Sequence, residues 1–235
     1  MARLETLQGE RFDLVVIGGG IIGCGIARDA ALRGLRVALF EKRDFGSGTT
    51  AASTRIVHGG LRYLEMLDIR LVRMDLRERE TLLRIAPHLV KPLEFVIPFF
   101  DGDGTRAVTL RAGLAAYDAL SFDKSLPSRR WLNREAVLAT EPGINPDGLQ
   151  GAWRYFDAQV PLVERLVVEN ALDAAAHGAT ILTHARVERF LRDPGQGPAI
   201  TGAVVRDARG GGTVEVRARL SVNSTGPWLG RTDGE

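Results

Sequence analysis

The chain has 235 residues, 45% hydrophobic and 26% charged, with a net charge of +2 at neutral pH. That is enough to bury one sizeable core or two small ones, and so even a charge balance gives no sign of a nucleic-acid partner. No apolar run approaches the roughly 18 residues that a membrane-spanning helix needs.

Residues 1–11 are charged and carry no hydrophobic segment, so they read as a short, poorly ordered leader and not as a signal peptide. Residues 12–42, FDLVVIGGGIIGCGIARDAALRGLRVALFEK, form the first and most informative unit. The apolar run at 14–17 is short enough to be a buried strand. Gly18, Gly20 and Gly23 follow in the G-x-G-x-x-G pattern. A helix comes next, with Ile22, Ile26, Ala30 and residues 32–35 available to face a core. A second strand at 37–40 ends on Glu41. This βαβ unit suits a dinucleotide. Gly18 permits the tight turn, Gly20 lets a pyrophosphate approach, and Gly23 lets helix and strand pack closely. The pyrophosphate sits at the helix N-terminus, where free N–H groups favour anions. Glu41, 23 residues past Gly18, is placed to accept the ribose hydroxyls. The motif alone does not choose between NAD and FAD.

Cys24, the single cysteine, cannot form an internal disulfide, which fits a reducing cytoplasm. Its place between two glycines reads as a small packing residue. Of the 31 basic residues only Lys42, Lys91 and Lys124 are lysine. The arginine skew is chain-wide, which lowers the weight of any single arginine as a functional sign.

The passage at 42–54, KRDFGSGTTAAST, is long for an unstructured connection in a compact domain. Its small residues let the backbone run close to a ligand. Beyond it lie Arg55, His58, Gly59, Gly60, Arg62 and Tyr63 in quick succession. Residues 68–86 read as an amphipathic helix with a solvated charged face, ended by Pro87. A strand at 93–98 leads to the turn DGDGT, which lacks the remaining ligands of a calcium loop. A helix at 107–120 and a basic loop at 123–130 follow, and then a short helix capped by Asn133 with Glu135 in its first turn. Pro142, Gly143, Pro146 and Gly148 make a linker. A strand spans 149–156, and Pro161 opens a long helix with Gly178 as its C′ residue. Strands at 180–183, 185–191, 199–206 and 213–220 complete a β-rich segment, broken at Pro194–Gly195 and at residues 210–212. The scattered histidines His88, His177 and His184 do not argue for a metal site.

Several stretches together resemble the FAD-dependent glycerol-3-phosphate dehydrogenases, a branch of the glycine/D-amino-acid-oxidase-like flavoproteins. They are STRIVHGGLRYLE, RLVRMDLRERETLLRIAPHLVKPLEFVIP, YDALSFDKSLPSRRWLN, WRYFDAQV and NSTGPW. The resemblance implies an α/β fold, with an FAD/NAD(P)-binding Rossmann-like domain and part of an α+β substrate domain. It divides the chain into a first FAD-binding segment at 1–79, a substrate-domain insertion at 80–152 and a second FAD-binding segment at 153–235. FAD is then the cofactor. It implies contacts from Gly18, Gly20, Ile21, Ile22, Gly23, Glu41, Lys42, Thr50, Ser53, Thr54, His58, Gly59, Gly60 and Leu61, from Arg186 and Val187 along the adenine, and from Thr225, Gly226 and Trp228.

The family reaction oxidises sn-glycerol 3-phosphate to dihydroxyacetone phosphate by hydride transfer to flavin, with electrons passing to a membrane quinone. Arg62, with Tyr63 beside it, matches the substrate-facing positions, and a guanidinium suits a phosphate group. His58 matches a flavin-adjacent position. Its titration range suits a general base, but the resemblance favours flavin contact. Peripheral attachment to the cytoplasmic face of the inner membrane is implied, and a homodimer is admitted. Alternatives are an oxidase that uses oxygen, a catalytically incomplete FAD-binding fragment and, weakly, an NAD-dependent reductase. Family members are longer, with a further histidine, more substrate arginines and a third FAD-binding segment. The 235 residues alone are therefore expected to hold FAD weakly and to turn over little substrate.

Overall fold

The computed structural model describes residues 4–193 and 199–231. The expected break at Pro194–Gly195 and the chain end at Gly234–Glu235 lie outside the described residues. In chain order, a 3-10 turn at Leu4–Leu7 precedes β1 (Arg11–Ile17), α1 (Ile21–Leu32), β2 (Val37–Phe40), β3 (Ile56–Val57) and α2 (Leu61–Glu65). Next come α3 (Ile69–Ile85), β4 (Lys91–Phe100), α4 (Gly104–Leu120), β5 (Arg130–Asn133), α5 (Arg134–Thr140) and β6 (Leu149–Gln159). The last elements are α6 (Val163–Ala176), β7 (Thr180–Leu182), β8 (Ala185–Arg192), β9 (Ile200–Asp207), β10 (Thr213–Asn223) and a 3-10 turn at Gly226–Arg231.

Two compact units result, one of Met1–Thr54 with Leu162–Glu235 and one of Arg55–Pro161. These divisions differ from the sequence boundaries at 79/80 and 152/153. The physical reason is pairing: β3 hydrogen-bonds to β6, and α2, α3 and α4 share one apolar cluster. The whole stretch 55–161 therefore coheres.

The first unit is built on a six-stranded sheet in the order β7-β2-β1-β10-β9-β8. β1 runs parallel to β2 and β10, and β2 parallel to β7, while β9 and β8 are antiparallel. Parallel strands covered on both faces are apolar throughout, and Val15, Val16, Val37, Ala38 and Leu39 are fully buried. Successive β1 residues face opposite layers. Leu14 and Val16 meet α1 and α6, whereas Val15 and Ile17 meet a layer with Val205 and Val216.

The buried face of α1 is Gly23, Cys24, Ala27, Ala30 and Ala31. Ile22, Leu32 and Leu35, expected to face the core, are exposed. Small residues win that face because they let the helix axis approach the strands closely. The leader reading is corrected too. From Leu4 onward it is ordered, with Leu4 and Leu7 in the core.

The second unit carries an antiparallel sheet centred on β6, with β4 along one side and β3 and β5 pairing with successive stretches of β6. Asn133 caps α5 by accepting the Ala136 N–H at 2.9 Å. On α3 the buried stripe is Val72, Leu76 and Arg79, while Met74 and Ile85 face solvent. A wholly solvated charged face is therefore corrected at Arg79. Among the described residues, no helix is long and apolar enough to cross a membrane.

Candidate functional site

The turn between β1 and α1 is held from behind. Gly18 has φ +105°, in the left-handed region, and a Cβ there would meet the Ser224 carbonyl oxygen at 2.7 Å. A Cβ on Gly23 would overlap the Gly18 carbonyl oxygen and approach Ser224 Oγ at 2.6 Å. Ser224 Oγ in turn donates to the Ile17 carbonyl at 2.8 Å. The end of β10 thus locks the glycine turn, and only glycine satisfies both close approaches. Gly20 is the N-cap of α1, extended and without a side-chain cap. Thr50 Oγ1 reaches back to accept the Ile21 N–H at 3.2 Å.

Glu41 sits at the end of β2 and is 9% exposed. Its Oε2 accepts from Gly19 N–H at 2.7 Å and its Oε1 from Arg43 N–H at 2.8 Å. The side chain therefore also staples the glycine turn to the start of the next loop. A carboxylate offers about four lone-pair sites, so two further donors can still be accepted. Behind it lies Cys24, fully buried. Burial, with the nearby Glu41 charge adding, pushes its thiol up to about 12. It is a packing residue and not a reactive thiol.

A cavity of about 470 Å³ opens beside this turn. Gly18, Gly20, Ile21, Ile22, Glu41, Lys42, Thr50, Ser53, Arg186, Val187, Thr225, Gly226 and Trp228 all line it. Residues more than 130 positions apart in sequence are brought together because β10 lies parallel to β1 and ends at the same edge. Lys42 Nζ lies 4.8 Å from the centre of the Trp228 ring, a cation–π contact that ties the loop after β2 to the turn after β10. Gly23 acts behind this wall rather than on it, and Thr54 is not part of it. Sequence reasoning missed Ser47, Gly48, Thr49, Val163 and Ala185, which also line the cavity. Small residues in the 42–54 loop were the available signal for the first three. Nothing local marks Val163 or Ala185.

His58, Gly59, Gly60, Leu61, Arg62 and Tyr63 belong to the second unit. Gly60 is the N-cap of α2 with φ +66°, and a Cβ there would overlap the Tyr63 ring. A Cβ on Gly59 would meet Leu76 Cγ at 2.5 Å and Tyr117 Oη at 2.9 Å. Gly59 N–H donates to Tyr117 Oη at 2.7 Å, and Gly60 N–H donates to His58 Nδ1 at 2.8 Å. Leu61 packs with Val72, Leu76 and Tyr117. Arg62 and His58 are exposed, as is Tyr63. No cluster of metal-ligating side chains occurs among the described residues.

Residues 13–235 match the family described as FAD dependent oxidoreductase. The chain is 44% identical, over its full length, to a glycerol-3-phosphate dehydrogenase of Synechocystis sp., of which it covers 42%. It is 38% identical, over 96% of its length, to an alpha-glycerophosphate oxidase of Streptococcus pneumoniae, of which it covers 37%. The glycerol-3-phosphate dehydrogenase from Bacillus halodurans, solved in complex with FAD, matches with a TM-score of 0.72 at 30% identity, over 96% of this chain and 36% of that one. The chain thus spans about two fifths of the length of the curated relatives it matches.

Proposed function

The chain belongs to the FAD-dependent oxidoreductases, and from that premise we propose that it serves the oxidation of sn-glycerol 3-phosphate to dihydroxyacetone phosphate. The observation that carries this reading is 44% identity, along the whole chain, to a protein named glycerol-3-phosphate dehydrogenase.

The first unit fits the adenosine diphosphate end of FAD. A Cβ would fill the turn at Gly18 and Gly23, Gly20 gives the α1 N-terminus no side-chain cap of its own, and the buried Glu41 retains acceptor capacity. Gly18, Gly20, Ile21 and Ile22 would hold the pyrophosphate, aided by the positive end of the α1 dipole. Glu41 would accept ribose hydroxyls, Arg186 and Val187 would flank the adenine, and Thr225, Gly226 and Trp228 would close the other wall. FAD, when bound, supplies a two-electron acceptor for a hydride leaving a hydroxyl-bearing carbon.

In the second unit, Arg62 would pair its planar guanidinium with the substrate phosphate, bidentately, as that fork geometry suits. Tyr63 would add a hydroxyl beside it. His58 would contact the flavin rather than abstract a proton. Electrons would pass to a membrane quinone, with the protein attached peripherally at the cytoplasmic face of the inner membrane. The alternative acceptor is oxygen, supported by the oxidase relative.

The test is flavin content per chain after gel filtration, followed by dihydroxyacetone phosphate formation from glycerol 3-phosphate with a dye acceptor and with air alone. The dehydrogenase reading expects weakly retained flavin, slow turnover with dye and little peroxide in air, since the chain spans about two fifths of its relatives' length. Peroxide equal to product would move the acceptor to oxygen. A dye-coupled rate that ignores glycerol 3-phosphate but responds to another hydroxyl-bearing substrate would overturn the substrate assignment, and full flavin occupancy with fast turnover would overturn the expectation of weak activity.

A further inference from the structure

Arg79 is an arginine in a run of charges, yet its side chain is wholly buried. Its Nη1 donates to Asp157 Oδ1 at 2.6 Å, and its Nη2 donates to Glu80 Oε1 at 3.2 Å. Asp157 lies on β6 and is only 2% exposed. A second donor reaches the same carboxylate. Tyr117 Oη, on α4, lies 2.8 Å from Oδ1 and 3.1 Å from Oδ2. Burying a charged pair costs several kcal/mol, by the order of magnitude of ion desolvation, so this cluster is not a passive filler of the core.

The direction of each bond follows from what each group has to give. A carboxylate only accepts, so the single Tyr117 hydroxyl proton points at Asp157. The hydroxyl lone pairs then face the Gly59 N–H, which donates to Oη at 2.7 Å. One residue on, Gly60 N–H donates to His58 Nδ1 at 2.8 Å. An N–H donor requires the Nδ1 lone pair, so in the neutral ring the proton resides on Nε2. Leu76 closes the remaining side of the turn, since it would meet any Cβ on Gly59. Two consecutive glycine amides are thus each fixed by a side chain. One of these side chains is anchored through a carboxylate to a buried guanidinium.

We propose that Arg79, Asp157 and Tyr117 form a positioning chain that fixes the His58–Gly59–Gly60 turn and sets His58 as an Nε2–H hydrogen-bond donor, not as a proton-accepting base. Asp157 is the hub, because it joins α3 and α4 to the turn through β6. The three residues touch no ligand in this scheme and act through the glycine amides. That the donor serves a flavin or substrate acceptor atom rests on the function proposed above.

The tautomer is read directly from long-range proton–nitrogen correlation spectra of protein labelled with 15N-histidine, with the His58→Gln variant assigning the signal. The expected result is a neutral His58 ring protonated at Nε2 in the unaltered protein. Tyr117→Phe removes the hydroxyl that accepts from Gly59, and the signal should become a mixture of both tautomers. In the same variant kcat should fall on the order of tenfold to a hundredfold, with KM for glycerol 3-phosphate changed far less, as loss of alignment rather than of substrate contact predicts. A ring protonated at Nδ1 in the unaltered protein would overturn the proposal without any variant. So would an unchanged tautomer in a folded Tyr117→Phe protein. If the tautomer is as expected but the His58 signal ignores addition of FAD and of glycerol 3-phosphate, the positioning chain stands. The placement of His58 beside the ligand then falls.

Discussion

Replacing Glu41 with glutamine separates a ligand contact from a structural staple, because the side chain serves the fold before any ligand arrives. Its two oxygens accept from Gly19 and Arg43 at 2.7 and 2.8 Å, and the residue is 9% exposed. Glutamine keeps one acceptor and turns the other corner into a donor. One of the two amides then loses its partner and faces an N–H group. A hydrogen bond to a charged group is worth about 1.5–3 kcal/mol, and a buried donor left unpaired costs about 1–3 kcal/mol. These overlap rather than add in full, so the flavin-free protein should lose about 2–4 kcal/mol. With a urea slope of about 2–3 kcal/mol/M, the unfolding midpoint drops by about 1 M. FAD affinity should fall separately by about tenfold, as a charge-assisted acceptor for the ribose becomes a neutral one. Urea unfolding of flavin-free protein and a fluorescence titration with FAD measure the two effects. An unchanged urea midpoint alongside weakened FAD binding would refute the staple and leave Glu41 as a ligand group only.

Two further outcomes follow from α1. Gly23→Ala places a Cβ onto the Gly18 carbonyl and near Ser224 Oγ, so the protein should lose about 1–3 kcal/mol and most of its flavin. Gly25→Ala, two residues on, meets open space and should stabilise by about 0.5–1 kcal/mol. Thermal melts and flavin content per chain compare the pair, and equal effects would show that close packing is not what selects Gly23. For Cys24 the thiol is raised to about 12 against a reference of 9.0. The unfolded chain therefore releases its proton first as the solution is made alkaline. The stability contribution is complete below pH 9.0 and is lost between there and about pH 12, at up to about 1.4 kcal/mol per pH unit. Comparison with Cys24→Ala under urea isolates that slope, and rapid alkylation of native protein at neutral pH would contradict it.

The βαβ cradle was legible because its signals are local. Strand, glycines, helix and acid lie within 31 consecutive residues, and Gly18 and Gly23 answer close approaches that no other residue meets. The helix face was misread for an equally physical reason. Hydrophobicity ranks isoleucine and leucine above alanine and glycine, but a helix laid tightly on a parallel sheet selects by size. Ile22, Leu32 and Leu35 were therefore assigned inward, while Cys24, Ala27 and Ala31 hold the buried positions. The opposite wall of the cavity was found only through the resemblance of NSTGPW to a second cofactor turn. No rule of periodicity ties Ser224 to Gly18, 206 positions away.

Arg79 shows where single-sequence reasoning stops, and also what would carry it further. In a chain of 31 basic residues, an arginine within RERE reads as solvated, since exposed charge runs on helices are common. Its position nevertheless continues the stripe of Val72 and Leu76 at one-turn and two-turn spacing, which is the inward face. Asp157 is the matching half-signal, an acid inside the strand YFDAQ at a buried position. Neither half is decisive, because a lone buried charge is too costly to place and the partner is 78 residues away. Together they are mutually required, since each ion is tolerable in the core only if the other is there. A charge falling on the apolar stripe of one element should therefore be read against every opposite charge falling on the apolar face of another. Here that comparison leads from α3 to β6, from β6 to the Tyr117 hydroxyl, and from there to the amide of Gly59.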